Sequence, residues 1–134
     1  MAGYSGTPLV QKLGIRAGDV VGLLGAPEGA EDLLVGLPDD VTFRRRAQGT
    51  LDLALSFDTR RASLERRVGP VLRAMRVDGC WWVAWPKRAA GVPTDITEDV
   101  VRAVALPLGL VDVKVCAIDE TWSGLKLMWR KDRR

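Results

Sequence analysis

Two acids stand side by side at Asp119-Glu120, with Trp122 and Ser123 close behind, in the stretch CAIDETWSGLKL. Further upstream, Lys87 and Arg88 leave the run CWWVAW, and Thr94, Asp95 and Thr97 gather within WPKRAAGVPTDITED. Carboxylates of this kind can serve as general bases, and neighbouring cations can hold a phosphate or carboxylate or steady a developing oxyanion. A helix start just after the cations adds the anion preference of a helix N-terminus. The two acids do not read as a proton-sharing dyad. Successive side chains of a strand point to opposite faces, so Asp119 and Glu120 meet only if the chain turns there. Ser123 has no histidine to activate it, because the sequence contains none, and Ser123-Gly124 reads as hairpin-turn chemistry. The candidate interaction rim is therefore Lys87, Arg88, Thr94, Asp95, Thr97, Asp119, Glu120, Trp122 and Ser123, with no residue assigned a catalytic role.

The lack of histidine also removes the usual general base and the commonest metal ligand. With only Cys80 and Cys116, far apart in the chain, no metal site and no cofactor are predicted. Each cysteine lies in a strand-like run, which fits buried, reduced thiols and a cytoplasmic location. The first residues lack a basic segment followed by an apolar one, so no secretory signal is read. The longest apolar runs, around residues 20–26 and 103–111, are broken by Gly or Pro and fall well short of the roughly 18 residues of a membrane span. The formal charge is +3, but residues 126–134 carry +4 of it, leaving −1 on residues 1–125. A basic tail (129–134) reads as a solvated terminus, and the clusters Arg44-Arg45-Arg46 and Arg60-Arg61 have no aromatics interleaved for base stacking. Nucleic-acid binding is thus disfavoured, and a small anionic ligand or a protein is the expected partner.

These residues must be positioned by a fold, and the pattern is legible. Thr7-Pro8 starts a short helix that Gly14 ends. Strands are predicted at Asp19–Leu24, Val41–Arg46 and Leu51–Phe57, with a short helix over Ala30–Val35 between the first two. Asp58 or Thr59 caps a helix carrying Leu64, Val68, Leu72 and Met75 at helical spacing, interrupted at Gly69-Pro70. Asp78-Gly79 turns into a fourth strand, Cys80–Trp85. Asp95 with Glu98 resembles a capping box opening a third helix. Val111–Ile118 and Leu125–Arg130 are the last two strands. Alternating strands and helices with a terminal hairpin predict a single three-layer α/β domain over residues 1–134, its sheet mostly parallel with about six strands. GLLGAPEG (Gly22–Gly29) sits where a nucleotide loop would lie, but its glycines are spaced G-x-x-G-x-x-x-G, so it reads as a tight strand-to-helix turn.

The stretches PLVQKLGIRAGDVVGLLGAPEG, WPKRAAGVPTDITEDVV and GLVDVKVCAIDETWSGLK together resemble the bacterial family known as domain of unknown function 3052. The resemblance spans nearly the whole chain and is weakest over residues 30–50. More loosely, DGCWWVAWPK and the ending helix–strand–hairpin resemble the Rossmann-like fold of S-adenosylmethionine methyltransferases, with a reversed last strand inserted beside the strand Cys80–Trp85. That likeness implies that Asp119 and Lys87 lie two strand spacings apart, roughly 10 Å. The family's E/D-x-G-x-G loop and the acid ending its second strand are both missing here. The leading expectation is a non-catalytic binding or regulatory module. The alternatives left open are a small-molecule enzyme of degenerate methyltransferase type, with Asp119 or Glu120 as base, and a nucleic-acid binder using the basic clusters.

Overall fold

The computed structural model describes residues 7–134, so the reading of the first residues as free of a signal falls largely outside it. Helix α1 (Leu9–Leu13) is followed by β1 (Val20–Leu24), a 3-10 turn at Ala30–Leu33, and the short strand β2 (Thr42–Arg44). Strand β3 (Leu51–Phe57), helix α2 (Arg61–Ala74) and strand β4 (Met75–Pro86) form the centre. Helix α3 (Glu98–Ala105), β5 (Leu110–Ala117) and β6 (Trp122–Trp129) complete the chain, which ends in a 3-10 turn at Lys131–Arg133. The strands lie in the order β2-β1-β3-β4-β6-β5. β2, β1, β3 and β4 are mutually parallel, and β6 runs antiparallel between β4 and β5. The mostly parallel six-stranded sheet with a reversed hairpin is the predicted α/β architecture.

The tryptophans of β4 show why the sheet is buried on both sides. Trp81 and Trp82 point to opposite faces and are essentially inaccessible. Trp81 packs among Leu64, Val71 and Val101 under α2 and α3, and its indole N–H donates to Ser56 Oγ at 2.8 Å. Trp82 packs among Val10, Leu13 and Ile118 on the α1 side and donates to the Leu13 carbonyl at 3.0 Å. Each ring removes roughly 150–250 Å² from water, about 4–6 kcal/mol of gross transfer free energy before chain entropy is counted. The two helical layers are unequal: α2 and α3 cover one face, while the five-residue α1 and the 3-10 turn cover the other. Both cysteines are free thiols, Cys80 buried in β4 and Cys116 half-buried in β5. Among the described residues no helix is long and apolar enough to cross a membrane, and no cluster of three potential ligands could hold a metal ion.

Several local expectations are corrected. Helix α1 starts after Pro8 and no side chain caps it. Helix α2 runs unbroken through Gly69-Pro70, with Pro70 on its exposed side. β4 begins at Met75, directly from the end of α2, and Asp78-Gly79 lies in an irregular strand stretch and not a turn. The N-cap of α3 is Thr97, whose Oγ1 accepts from Val100 N at 3.2 Å, in place of Asp95. Ser123 and Gly124 are paired strand residues of β6; the hairpin turn lies earlier, at 118–121. Gly124 is needed within the strand because a Cβ there would meet Ile118 Cδ1 at 2.8 Å and the Trp82 ring at 3.2 Å.

Candidate functional site

Ligands of open α/β sheets bind outside the carboxyl ends of the strands, and here that rim has two halves. The first, from the end of β4 to the start of β6, carries Lys87, Arg88, Asp119, Glu120, Trp122 and Ser123, while Thr94, Asp95 and Thr97 lie on the loop before α3, where Thr94 and Asp95 bond to residues just after β3. Lys87 N donates to the Thr121 carbonyl at 2.8 Å, so the main chains that carry the candidates are adjacent. Their side chains, however, are largely committed to the fold. Asp119 Oδ1 accepts from the backbone N–H of both Thr121 and Trp122, each at 2.8 Å, and thereby closes the hairpin. Thr94 Oγ1 donates to the Thr59 carbonyl at 2.6 Å and accepts from Ile96 N at 3.0 Å. Asp95 Oδ1 accepts from Arg61 N at 2.6 Å, capping α2 from outside in the role expected of Asp58 or Thr59. Trp122 packs edge-on against Phe57, ring centroids 5.1 Å apart, and Ser123 pairs with Trp85. Arg88 and Glu120 are exposed, Lys87 is half-buried, and among the described residues none of the three forms an ion pair.

The second half lies where β1 gives way to β2 on one side and β3 on the other, the topological switch point of the sheet. A cleft of about 400 Å³ opens there, and Arg45, Arg46, Asp58, Ser63, Arg66 and Arg67 supply its polar lining. Its apolar floor is Leu24, Ala47, Pro70 and Val71. Local structure explains the convergence. β2 is short and releases Arg45 and Arg46 at its carboxyl end. In α2, Ser63, Arg66, Arg67 and Pro70 fall at helical spacing on one stripe, while Leu64 and Ala74 face the core. Asp58 follows β3 directly; its side chain is 3% exposed and accepts from Arg67 Nε at 2.7 Å. Burial pushes the Asp58 carboxyl above its ordinary range, and the bond and charge of Arg67, with the charge of Arg66, pull part of the way back. Arg45 pairs with the exposed Glu31.

Four guanidinium groups thus face one carboxylate in this cleft. The arginines after β2 stand out in the sequence both as a basic cluster and as cations that could suit a ribose 2′-phosphate, a reading the glycine spacing of Gly22–Gly29 argues against, whereas Arg66-Arg67 carry no local signal. The available signal was topological: once β1 and β3 are neighbours, the residues after β2 and those one turn into α2 share a rim. A smaller cleft of about 170 Å³ at the opposite end of the sheet is polar too, lined by Arg16, Asp19, Asp52, Asp78, Cys80 and Lys126. Its acids serve the fold: Asp19 accepts from Arg16 N and Asp52 from Val20 N, and Arg76 bridges Asp52 and Asp78. Burial pushes the Cys80 thiol up to about 11, so it stays protonated at neutral pH.

No family model matches the sequence, and no curated protein sequence does. Solved structures do resemble the fold. An S-adenosylmethionine-dependent methyltransferase from Aquifex aeolicus superposes with a TM-score of 0.65 at 12% identity, covering 91% of this chain and 88% of that one. The DhpI complex with S-adenosylmethionine gives 0.61 at 13% identity, covering 90% and 83%. Magnesium protoporphyrin IX methyltransferase from Synechocystis with bound S-adenosylmethionine gives 0.58 at 10%, covering 91% and 74%. The chain therefore has the methyltransferase-like Rossmann architecture, and fold alone does not carry activity.

The residues at the switch point do not fit S-adenosylmethionine. Gly25, the first residue after β1, has φ +63°, and a Cβ placed on it would come within 2.1 Å of Arg67 Nη2. The guanidinium therefore lies directly against the turn whose open backbone would have to receive the cofactor. The strand that would offer an acid to the ribose hydroxyls ends in Arg44-Arg45-Arg46. A sulfonium cation would also enter a cleft already rich in positive charge.

Proposed function

We propose that the chain is a non-catalytic binding or regulatory module on a methyltransferase-like fold, which recognises its partner at the carboxyl rim of the sheet and transfers no methyl group. The observation that supports this reading is the Asp58–Arg67 pair seated against Gly25. In this reading the turn after β1, where a methyltransferase receives its cofactor, is covered by the protein's own ion pair, while the cleft beside it stays open. Membership of domain of unknown function 3052 belongs to the same proposal. Lys87, Arg88 and Glu120 remain as outlying contacts of the rim, whereas Thr94, Asp95, Thr97 and Asp119 hold its shape.

The test is titration calorimetry with S-adenosylmethionine and S-adenosylhomocysteine, paired with thermal melting. No saturable heat and no shift in Tm are expected. A ligand present at 100 times its Kd would add about 2.7 kcal/mol and raise the Tm of a domain this size by roughly 8 °C. Saturable binding with a Kd below about 100 µM would overturn the reading.

A further inference from the structure

We propose that the arginine cleft binds a small organic phosphate monoester, with Arg46 and Arg66 as the principal phosphate ligands. This deepens the binding-module reading and rests on it. Two of the four arginines are already engaged, Arg67 with Asp58 and Arg45 with Glu31. The other two form no ion pair among the described residues. Arg66 makes a long contact, from Nη2 to Ser63 Oγ at 3.4 Å, and acts on Asp58 through its charge alone, and Arg46 has no carboxylate partner. They stand on different walls of one cleft, Arg46 on the segment after β2 and Arg66 on α2.

Like charges held together in this way repel, and the arrangement is relieved by an anion that several donors can share. A phosphate monoester carries close to two negative charges at neutral pH and presents three acceptor oxygens, which suit planar guanidinium forks from two sides. Arg67 spends Nε on Asp58 and lays Nη2 against Gly25, so it adds mainly charge to the site, and Ser63 adds a hydroxyl donor. A single carboxylate would neutralise less of the surplus and fill fewer donors. The apolar floor of Leu24, Ala47, Pro70 and Val71 suits an organic body attached to the phosphate. At about 400 Å³ the cleft lies within the usual range for small-ligand sites. The same features favour a small ligand over a nucleic-acid strand: the arginines line a concavity, and no aromatic side chain lines it to stack a base.

The proposal is tested by calorimetry on the full chain with adenosine 5′-monophosphate and glucose 6-phosphate. Adenosine, glucose, inorganic phosphate and a single-stranded oligonucleotide complete the set of probes. At least one monoester should bind about 30-fold or more tightly than its unphosphorylated parent, and inorganic phosphate should compete with it. The double variant Arg46→Ala/Arg66→Ala should weaken that binding about 100-fold without lowering the Tm. Arg46→Lys/Arg66→Lys should fall between, about 10-fold weaker, because lysine keeps the charge and loses the fork. Binding that ignores the double alanine change, or is equal for the parent compounds, would overturn the proposal. So would the absence of monoester binding below about 1 mM, or an oligonucleotide that binds more tightly than either monoester. Failure of the phosphate arms leaves the binding-module reading standing, whereas saturable S-adenosylmethionine binding removes that reading.

Discussion

The two halves of the carboxyl rim carry similar residue types and use them in opposite ways. Beside β4 and β6, acids and hydroxyls are consumed by backbone groups: Asp119 closes a hairpin, Asp95 caps α2, Thr97 caps α3 and Thr94 ties one loop to another. Beside β1, β2 and β3, one buried acid is paired with Arg67, and among the described residues the cleft's Arg46 and Arg66 form no ion pair. A polar side chain that satisfies its neighbours' backbone is unavailable to a ligand, because removing it from that role exposes a buried donor or acceptor. The difference between a structural rim and a recognition rim is therefore the state of its hydrogen bonds, and residue type alone does not separate them.

The largest effect expected is on the turn that joins the two roles, at Gly25. Gly25→Ala places a side chain at φ +63°, only 2.8 Å from the Phe57 carbonyl oxygen, and pushes Arg67 off the turn. The left-handed strain and the backbone collision together should cost about 2–3 kcal/mol in urea denaturation. A loss below about 1 kcal/mol would show that Arg67 does not rest on this turn, and the reading of a covered cofactor turn would go with it.

Asp119 comes next. Its carboxylate accepts two backbone N–H groups, so Asp119→Ala should cost about 1–2 kcal/mol. Asp119→Asn should lose roughly half of that, because its carbonyl oxygen still accepts. Thr94→Val keeps the shape but strips a donor from the Thr59 carbonyl and an acceptor from Ile96 N, for about 1 kcal/mol. Equal stability of all three variants with the parent chain would erase the contrast between the halves and return these residues to the candidate binding surface.

How far the sequence reveals this molecule depends on whether the governing interaction is local. Strand β3 is legible to the residue, since LDLALSF is an apolar β-prone run bounded by turn signals. The reversed hairpin beside CWWVAW is legible from the order of elements. The caps are not. Asp95 sits three residues before Glu98 and has the look of a local capping box, yet it bonds to Arg61, 34 residues away. The Ser-Gly pair at 123–124 has turn composition, yet Asp119 has already closed the turn and Gly124 is held in the strand by Ile118 and Trp82. The arginine cleft escapes for the same reason. Arg46 and Arg66 lie far apart in sequence, and only the parallel crossover through β3 and α2 brings their segments to one rim.

The smallest effect on stability is expected where the largest effect on binding is proposed. Arg46 and Arg66 are exposed and among the described residues neither forms an ion pair, so replacing each by alanine removes little packing. Each change should alter stability by less than about 0.5 kcal/mol, in either direction. Relief of repulsion among the four guanidinium groups favours stabilisation and the lost attraction of Arg66 to Asp58 opposes it, both most visibly at low ionic strength, where exposed charges are least screened. Melting curves of Arg66→Ala at low and at moderate salt would read this directly. A stabilisation that fades as salt is added fits a cleft holding surplus charge for a ligand. A salt-independent loss above about 1 kcal/mol would mean that Arg66 serves the fold, and the two halves of the rim would then be alike.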